Sequence, residues 1–213
     1  MEQTTFKTNK IRGPINSWVF RNLDNYMNFL FKKEKKKLFK NHPNTVVEIG
    51  SGTGANMKYL RTGTKLIAIE PNVYMHNNLK KSAEKYGINL EIRTLTGESI
   101  DLPDNSSDFV ISTLVLCTVD NPVECINQIK RILKHSGEFA FIEHVKAREG
   151  SVLSYIQNIC HKPWHWFFEG CNTNRNINEL LESGGFKVVK MEAYNLYTPF
   201  IPITSQIRGK AIK

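Results

Sequence analysis

Glu48, Gly50, Ser51, Gly52, Gly54 and Glu70 are the residues whose types and spacing point most directly to chemistry. Three glycines in five positions permit a sharp turn and let backbone N–H groups come close to a ligand. Glu70 follows roughly twenty positions later, the usual spacing of an acidic residue that accepts hydrogen bonds from a ribose diol. The pair therefore reads as a site for an adenosine-containing cofactor. Gly50, Gly52 and Ala55 also fit the dinucleotide fingerprint, so a nicotinamide-dependent oxidoreductase is one reading. Three features favour S-adenosylmethionine (SAM), with S-adenosylhomocysteine (SAH) as product. Gly54 turns the pattern into G-x-G-x-G. Glu48 would repel a pyrophosphate but suits an ammonium and a sulfonium. The two strands expected at the C-terminal end suit a methyltransferase sheet better than a dinucleotide half-sheet.

Further candidates sit after the later strands. Pro71 follows Glu70, and Gly97-Glu98-Ser99 lies where an adenine edge should fall, although Glu98 could equally cap a short helix. Leu114, counted with the cofactor residues, begins the stretch Leu114–Cys117, which together with Glu143-His144 should line the pocket at the ends of strands four and five. His144 and His165 are candidate bases for an acceptor proton. Trp164–Phe168 could be an aromatic lid or core packing. Cys117, Cys125, Cys160 and Cys171 form no C-x-x-C pair and no zinc-like spacing with histidine, so no metal is expected; Cys117 and Cys171 read as small core residues.

The elements that must position these residues alternate. Residues 16–40 read as one helix with an apolar stripe and a lysine-rich wet side. Strands are expected at 45–49, 65–69, 90–95, 107–112, 137–142, 186–193 and 206–212. Helices are expected from about Ala55, at 72–86, 122–135 with a C-cap at Ser136-Gly137, 151–168 and 177–182. This order predicts an α/β fold: a Rossmann-like, doubly wound seven-stranded sheet, mostly parallel with an antiparallel C-terminal strand. Residues 1–43 form an N-terminal helical segment and 44–213 the catalytic domain.

The composition fits one α/β domain. The chain has 213 residues, 40% of them apolar and 23% charged. No apolar run is long enough to span a bilayer, and no signal peptide is visible, so reduced thiols in the cytoplasm are expected. The net charge of +9 is concentrated in Lys32, Lys33, Lys35, Lys36, Lys37 and Lys40. These lysines read as a solvated helix face or as a transient contact with an anionic membrane surface. No aromatic residues interleave with them, so nucleic acid is not an expected partner.

Residues 46–56, Ile69-Glu70-Pro71-Asn72 and Leu133–Glu138 resemble motifs of the class I SAM-dependent methyltransferases, with His-Ser replacing Pro-Gly in the last. Thr113–Val119, Ile142–Val145, Pro163-Trp164-His165 and Phe168–Asn172 resemble, more narrowly, the methyltransferase-like protein 7 family. The resemblance covers about residues 30–213. It implies SAM-dependent methylation of a small-molecule acceptor, a thiol in that family's thiol S-methyltransferases. A lipid or quinone-type acceptor and a non-catalytic SAM-binding module are the remaining alternatives. Animal members carry an N-terminal hydrophobic anchor, whereas the helix here is amphipathic, which implies a soluble relative.

Overall fold

The computed structural model describes residues 9–213. Its seven-stranded sheet has the order β3-β2-β1-β4-β5-β7-β6. The strands are β1 (Thr45–Ile49), β2 (Lys65–Ile69), β3 (Asn89–Arg93), β4 (Ser107–Thr113), β5 (Leu133–His144), β6 (Val188–Asn195) and β7 (Ser205–Ile212). β1 to β5 run parallel, and β7 is antiparallel to both β5 and β6. The expected doubly wound architecture and its antiparallel C-terminal strand are therefore present.

The apolar strand residues alternate between two cores. Val47, Ile49, Val110, Phe139 and Phe141 face one, and Val46, Phe109, Ile111, Ala140 and Ile142 face the other. A parallel sheet buried on both faces needs this near-continuous apolar run. The helices are α1 (Arg12–Leu30), α2 (Lys32–Phe39), α3 (His76–Tyr86), α4 (Pro122–Ile132), α5 (Val152–Phe167) and α6 (Ile177–Glu182). α4 and α6 supply the first core with Ile126, Ile129, Ile177 and Leu181. α2 and α3 supply the second with Leu38, Phe39, Leu79 and Ala83.

Several expected boundaries move. The helix expected over 16–40 begins at Arg12, where the Asn9 side chain accepts from the Ile11 and Arg12 N–H groups, each at 2.9 Å. It breaks at Phe31, whose ring is driven into the core, so two helices replace one. No α-helix starts at Ala55. A single 3-10 turn at Met57–Tyr59 crosses from β1 towards β2, because the Asn56 side chain is committed to Glu48 and Leu60 is extended. α3 starts at His76 rather than 72, since Asn72 Oδ1 folds forward onto the Tyr74 N–H at 3.0 Å. Ser136-Gly137 is not a helix cap. α4 stops at Ile132, and Ser136 (φ 67°) sits in β5 at a register shift opposite Ser107/Phe109.

α1 crosses the edge formed by the C-terminal ends of the strands. Arg12 Nη1 donates to the Trp166 carbonyl at 2.8 Å, Asn16 Nδ2 to the Phe167 carbonyl at 2.9 Å, and Ser17 Oγ to the Tyr74 carbonyl at 2.8 Å. These bonds tie it to α5 and to the loop before α3. No helix among the described residues is long and apolar enough to cross a membrane.

Candidate functional site

The strand order reverses between β1 and β4, and α/β sheets leave a crevice at such a point. A cavity of about 260 Å³ lies there, under α1. The glycine loop forms one wall, and its three glycines serve different purposes. Gly50 (φ 63°) allows the turn to pass Val115, whose Cγ2 would stand 2.5 Å from an added Cβ. Gly54 (φ 87°) lets the loop rest on α3, where Ser82 Cβ would be 2.8 Å away. Gly52 (φ 54°) lines the cavity, and an added Cβ would find no atom within 4 Å. A ligand can therefore approach its backbone closely.

Glu70 stands at the end of β2, buried on the cavity wall. Its Oε2 accepts from the Gly52 N–H at 2.7 Å and its Oε1 from the Asn72 N–H at 2.9 Å. Burial pushes its carboxyl up to about 7 against these two bonds, and the nearby Glu169 and Glu48 charges add to the rise. The carboxylate is thus clamped in place with lone pairs left for further donors.

Glu48 is not on the wall. It lies behind the loop, where its Oε1 accepts from Asn56 Nδ2 at 2.6 Å while its Oε2 is buried without a partner. Burial raises its carboxyl to about 6, opposed by Asn56, Ser51 and Lys35. Asn56 itself reaches the cavity, so Glu48 acts on the site by orienting Asn56.

Ser51, Pro71, Gly97, Glu98 and Leu114 line the cavity as expected. Gly97 is required because a Cβ there would stand 2.6 Å from Cys125 Sγ. Glu98 Oε1 accepts from the Asn121 N–H at 3.1 Å, ahead of α4. Ser99 and Gly54 are not among the lining residues; the Ser99 N–H closes a turn onto Thr96. Leu114 has φ 59°, a conformation that leucine rarely adopts. The turn around it is held by Glu143, whose Oε1 accepts from Ser112 Oγ at 2.7 Å and from the Val115 N–H at 3.0 Å.

Sequence reasoning missed the helical side of this cavity. Asp24 and Lys35 line it, and Asp24 accepts from Thr53 Oγ1 at 2.8 Å. Burial raises the Asp24 carboxyl against Thr53, Lys35 and Arg21. Lys35 is buried rather than on the wet face, and burial lowers its ammonium to about 8 despite the Glu48 and Asp24 charges. A cue was available: Phe20, Asp24, Met27, Phe31 and Lys35 recur at helical spacing, which puts two charges on the apolar stripe. Counting Asp120 and Glu169, five carboxyl groups among the described residues line the cavity, and Lys35 is the single cation among those residues.

A second cavity of about 90 Å³ adjoins the first. Phe20, Met27, Leu114, Thr118 and Phe168 line both. Leu23, Trp164, Phe200 and Ile203 extend its apolar wall, and Trp164 packs against Phe168 with ring centres 4.3 Å apart and planes tilted by 38°. His144 and Cys171 also line it, with His144 Nε2 3.0 Å from Cys171 Sγ. Burial pushes the His144 imidazole down, but the Cys171 and Glu143 charges outweigh this and raise it. His165 lines neither cavity; its ring faces His161 at 5.7 Å. Trp166 is exposed, so only part of the aromatic segment faces inward.

Residues 47–141 match the family model described as a methyltransferase domain. The chain is 33% identical over 172 residues to the thiol S-methyltransferase TMT1B of Rattus norvegicus, covering 79% of this chain and 70% of that protein. It is 33% identical, with the same coverage, to the thiol S-methyltransferase TMT1A of Homo sapiens. Among solved structures, a SAM-dependent methyltransferase from Thermotoga maritima aligns with a TM-score of 0.62 at 20% identity, over 92% of this chain and 99% of that one. One from Aquifex aeolicus aligns with a TM-score of 0.64 at 21% identity, over 92% and 97%.

Proposed function

The chain belongs to the class I SAM-dependent methyltransferases of the TMT1 type, and from that premise we propose that it methylates the sulfur of a small apolar thiol. It is an enzyme that uses SAM, and the nicotinamide reading falls away. The observation that carries the thiol reading is the shared wall of the two cavities. Leu114, Thr118 and Phe168 separate a larger space lined with carboxyl groups from a more apolar bay closed by His144 and Cys171.

In this reading the larger cavity holds SAM. Glu70 accepts from the ribose hydroxyls, and the Gly52 backbone packs against the ligand. Gly97 and Glu98 face the base. Asp24 and Lys35 supply one charge of each sign for the amino-acid end, with Asn56 beside them. When bound, SAM supplies a methyl group already activated on a sulfonium. The chain's own task is then to align the acceptor and keep water out. α1 and the Trp164–Phe168 pair cover the bay. Apolar walls there favour the meeting of a thiolate with a cation, because the two charges cancel as the reaction proceeds.

Labelled-methyl transfer from SAM to small aryl and alkyl thiols, run beside quinol and phospholipid acceptors, tests the assignment. Turnover on thiols is expected. Labelling of quinol or lipid with every thiol inert would replace the thiol reading.

A further inference from the structure

Three soft donors meet at the inner end of the bay, brought there by separate elements. Cys117 lies in the turn after β4, His144 ends β5, and Cys171 follows α5. All three are buried, and Sγ of Cys117, Nε2 of His144 and Sγ of Cys171 lie within 4.8 Å of one another. Their wide sequence separation leaves no short motif, which is why cysteine spacing suggested no metal.

We propose that Cys117, His144 and Cys171 bind a thiophilic divalent cation, of the Zn²⁺ class, with its open position towards the bay. Zinc takes sulfur at about 2.3 Å and imidazole nitrogen at about 2.0–2.1 Å, so a tetrahedral site sets sulfurs about 3.8 Å apart and nitrogen about 3.6 Å from sulfur. The two sulfurs already stand 3.7 Å apart. Nε2 lies 3.0 Å from Cys171 Sγ and within 4.8 Å of Cys117 Sγ, so the imidazole must swing away from Cys171 by about half an ångström and sit near about 3.6 Å from both sulfurs. Two thiolates neutralise a divalent cation, which lowers the cost of holding it among Leu116, Val145 and Trp164. Both sulfurs have outer partners, while His144 Nδ1 is buried without one. Trp164 Nε1–H points at Cys171 Sγ at 3.3 Å, and Thr118 Oγ1 lies 3.5 Å from Cys117 Sγ.

Three protein ligands and one open position are the pattern of a catalytic rather than a structural site. His144 and Cys171 line the bay and Cys117 lies behind them, so the open position faces the space assigned to the acceptor. A thiol entering there forms a metal–sulfur bond and releases its proton to water, leaving the acceptor as a thiolate at neutral pH. This role, unlike the site itself, rests on the thiol reading above.

The test uses the full chain without a polyhistidine tag, stripped of metal under reducing conditions and titrated anaerobically with Co²⁺. One equivalent should bind, with sulfur-to-cobalt charge-transfer absorption and the visible bands of tetrahedral Co²⁺, and Zn²⁺ should displace it. Cys117→Ser and Cys171→Ser should each weaken binding about 100-fold. SAH binding, measured on the parent and on each variant, reports that the chain is folded. A folded, SAH-binding parent that takes up no Co²⁺, or serine variants that bind it as the parent does, would overturn the site. Adding a small aryl thiol should shift the visible bands. A bound Co²⁺ whose bands ignore thiols overturns the acceptor role and leaves the site standing, whatever turnover shows.

Discussion

Glu70 combines burial with two backbone hydrogen bonds, and this sets a pH dependence. An unfolded glutamate loses its proton near 4.5, whereas folding holds the Glu70 proton up to about 7. The folded state binds more protons in that window, so the ligand-free chain loses stability as pH rises through it, on the order of 3 kcal/mol from this group alone. Glu70→Gln should make the fall of the denaturation midpoint with pH shallower between these limits, leaving the smaller part due to the raised Glu48 and Asp24 carboxyls. Ribose hydroxyls favour the ionised carboxylate, so SAH affinity should rise about tenfold per pH unit below about 7 and then level off. Calorimetry at several pH values reads this, and an equally steep rise in Glu70→Gln would assign it to another group. The glycines divide in the same way. Gly54→Ala should cost about 1–3 kcal/mol by clashing with Ser82, with φ 87° adding strain. Gly52→Ala should cost only about 1 kcal/mol, from its φ of 54°, yet weaken SAH binding more than tenfold because its methyl group enters the cavity. Thermal melts and SAH titrations of the two variants would separate packing from binding. That Gly50, Gly52 and Glu70 line the cavity was legible in the sequence, because their placement depends on local backbone geometry. Glu48 was misplaced because spacing alone does not show which side of a loop a side chain takes. His165 was misplaced because a histidine on a helix reveals its face only through its neighbours.

At the scale of elements, alternation revealed the sheet and its order of strands and helices, since apolar runs of strand length stood between helical patterns. The boundaries that failed are places where a side chain overrides propensity. Asn9 lengthens α1, Asn72 delays α3, and the Phe31 ring splits the first helix. α1 matters most for function, because Phe20, Asp24 and Met27 make it the roof of the cavity. The roof is tied to α5 by Asn16, a buried side chain that donates to both Arg12 and Phe167 carbonyls. Asn16→Ala should cost about 1–2 kcal/mol locally. Hydrogen exchange should then quicken over residues 12–30 while the strands stay protected, and SAH should slow exchange there in the parent. Uniform exchange changes across the whole chain would instead mark a global loss of stability.

On the scale of the molecule, charge is unevenly distributed. The chain carries a net +9, much of it on and just after α2, where Lys32, Lys33, Lys36, Lys37 and Lys40 are exposed and α1 adds exposed Trp18 and Phe29 nearby in sequence. Binding to vesicles containing phosphatidylserine, reversed by salt, is expected at this face. Replacing Lys32, Lys33 and Lys36 with glutamine should abolish it, and retention by the variant would exclude α2. The site has the opposite polarity, with five carboxyl groups around one lysine. That contrast bears on turnover. A donor that arrives as a cation and departs uncharged is attracted on entry and released on exit, so spent ligand should be a weaker competitor than an apolar pocket of the same shape would make it. Raising ionic strength should narrow that gap, by screening the one state and sparing the other.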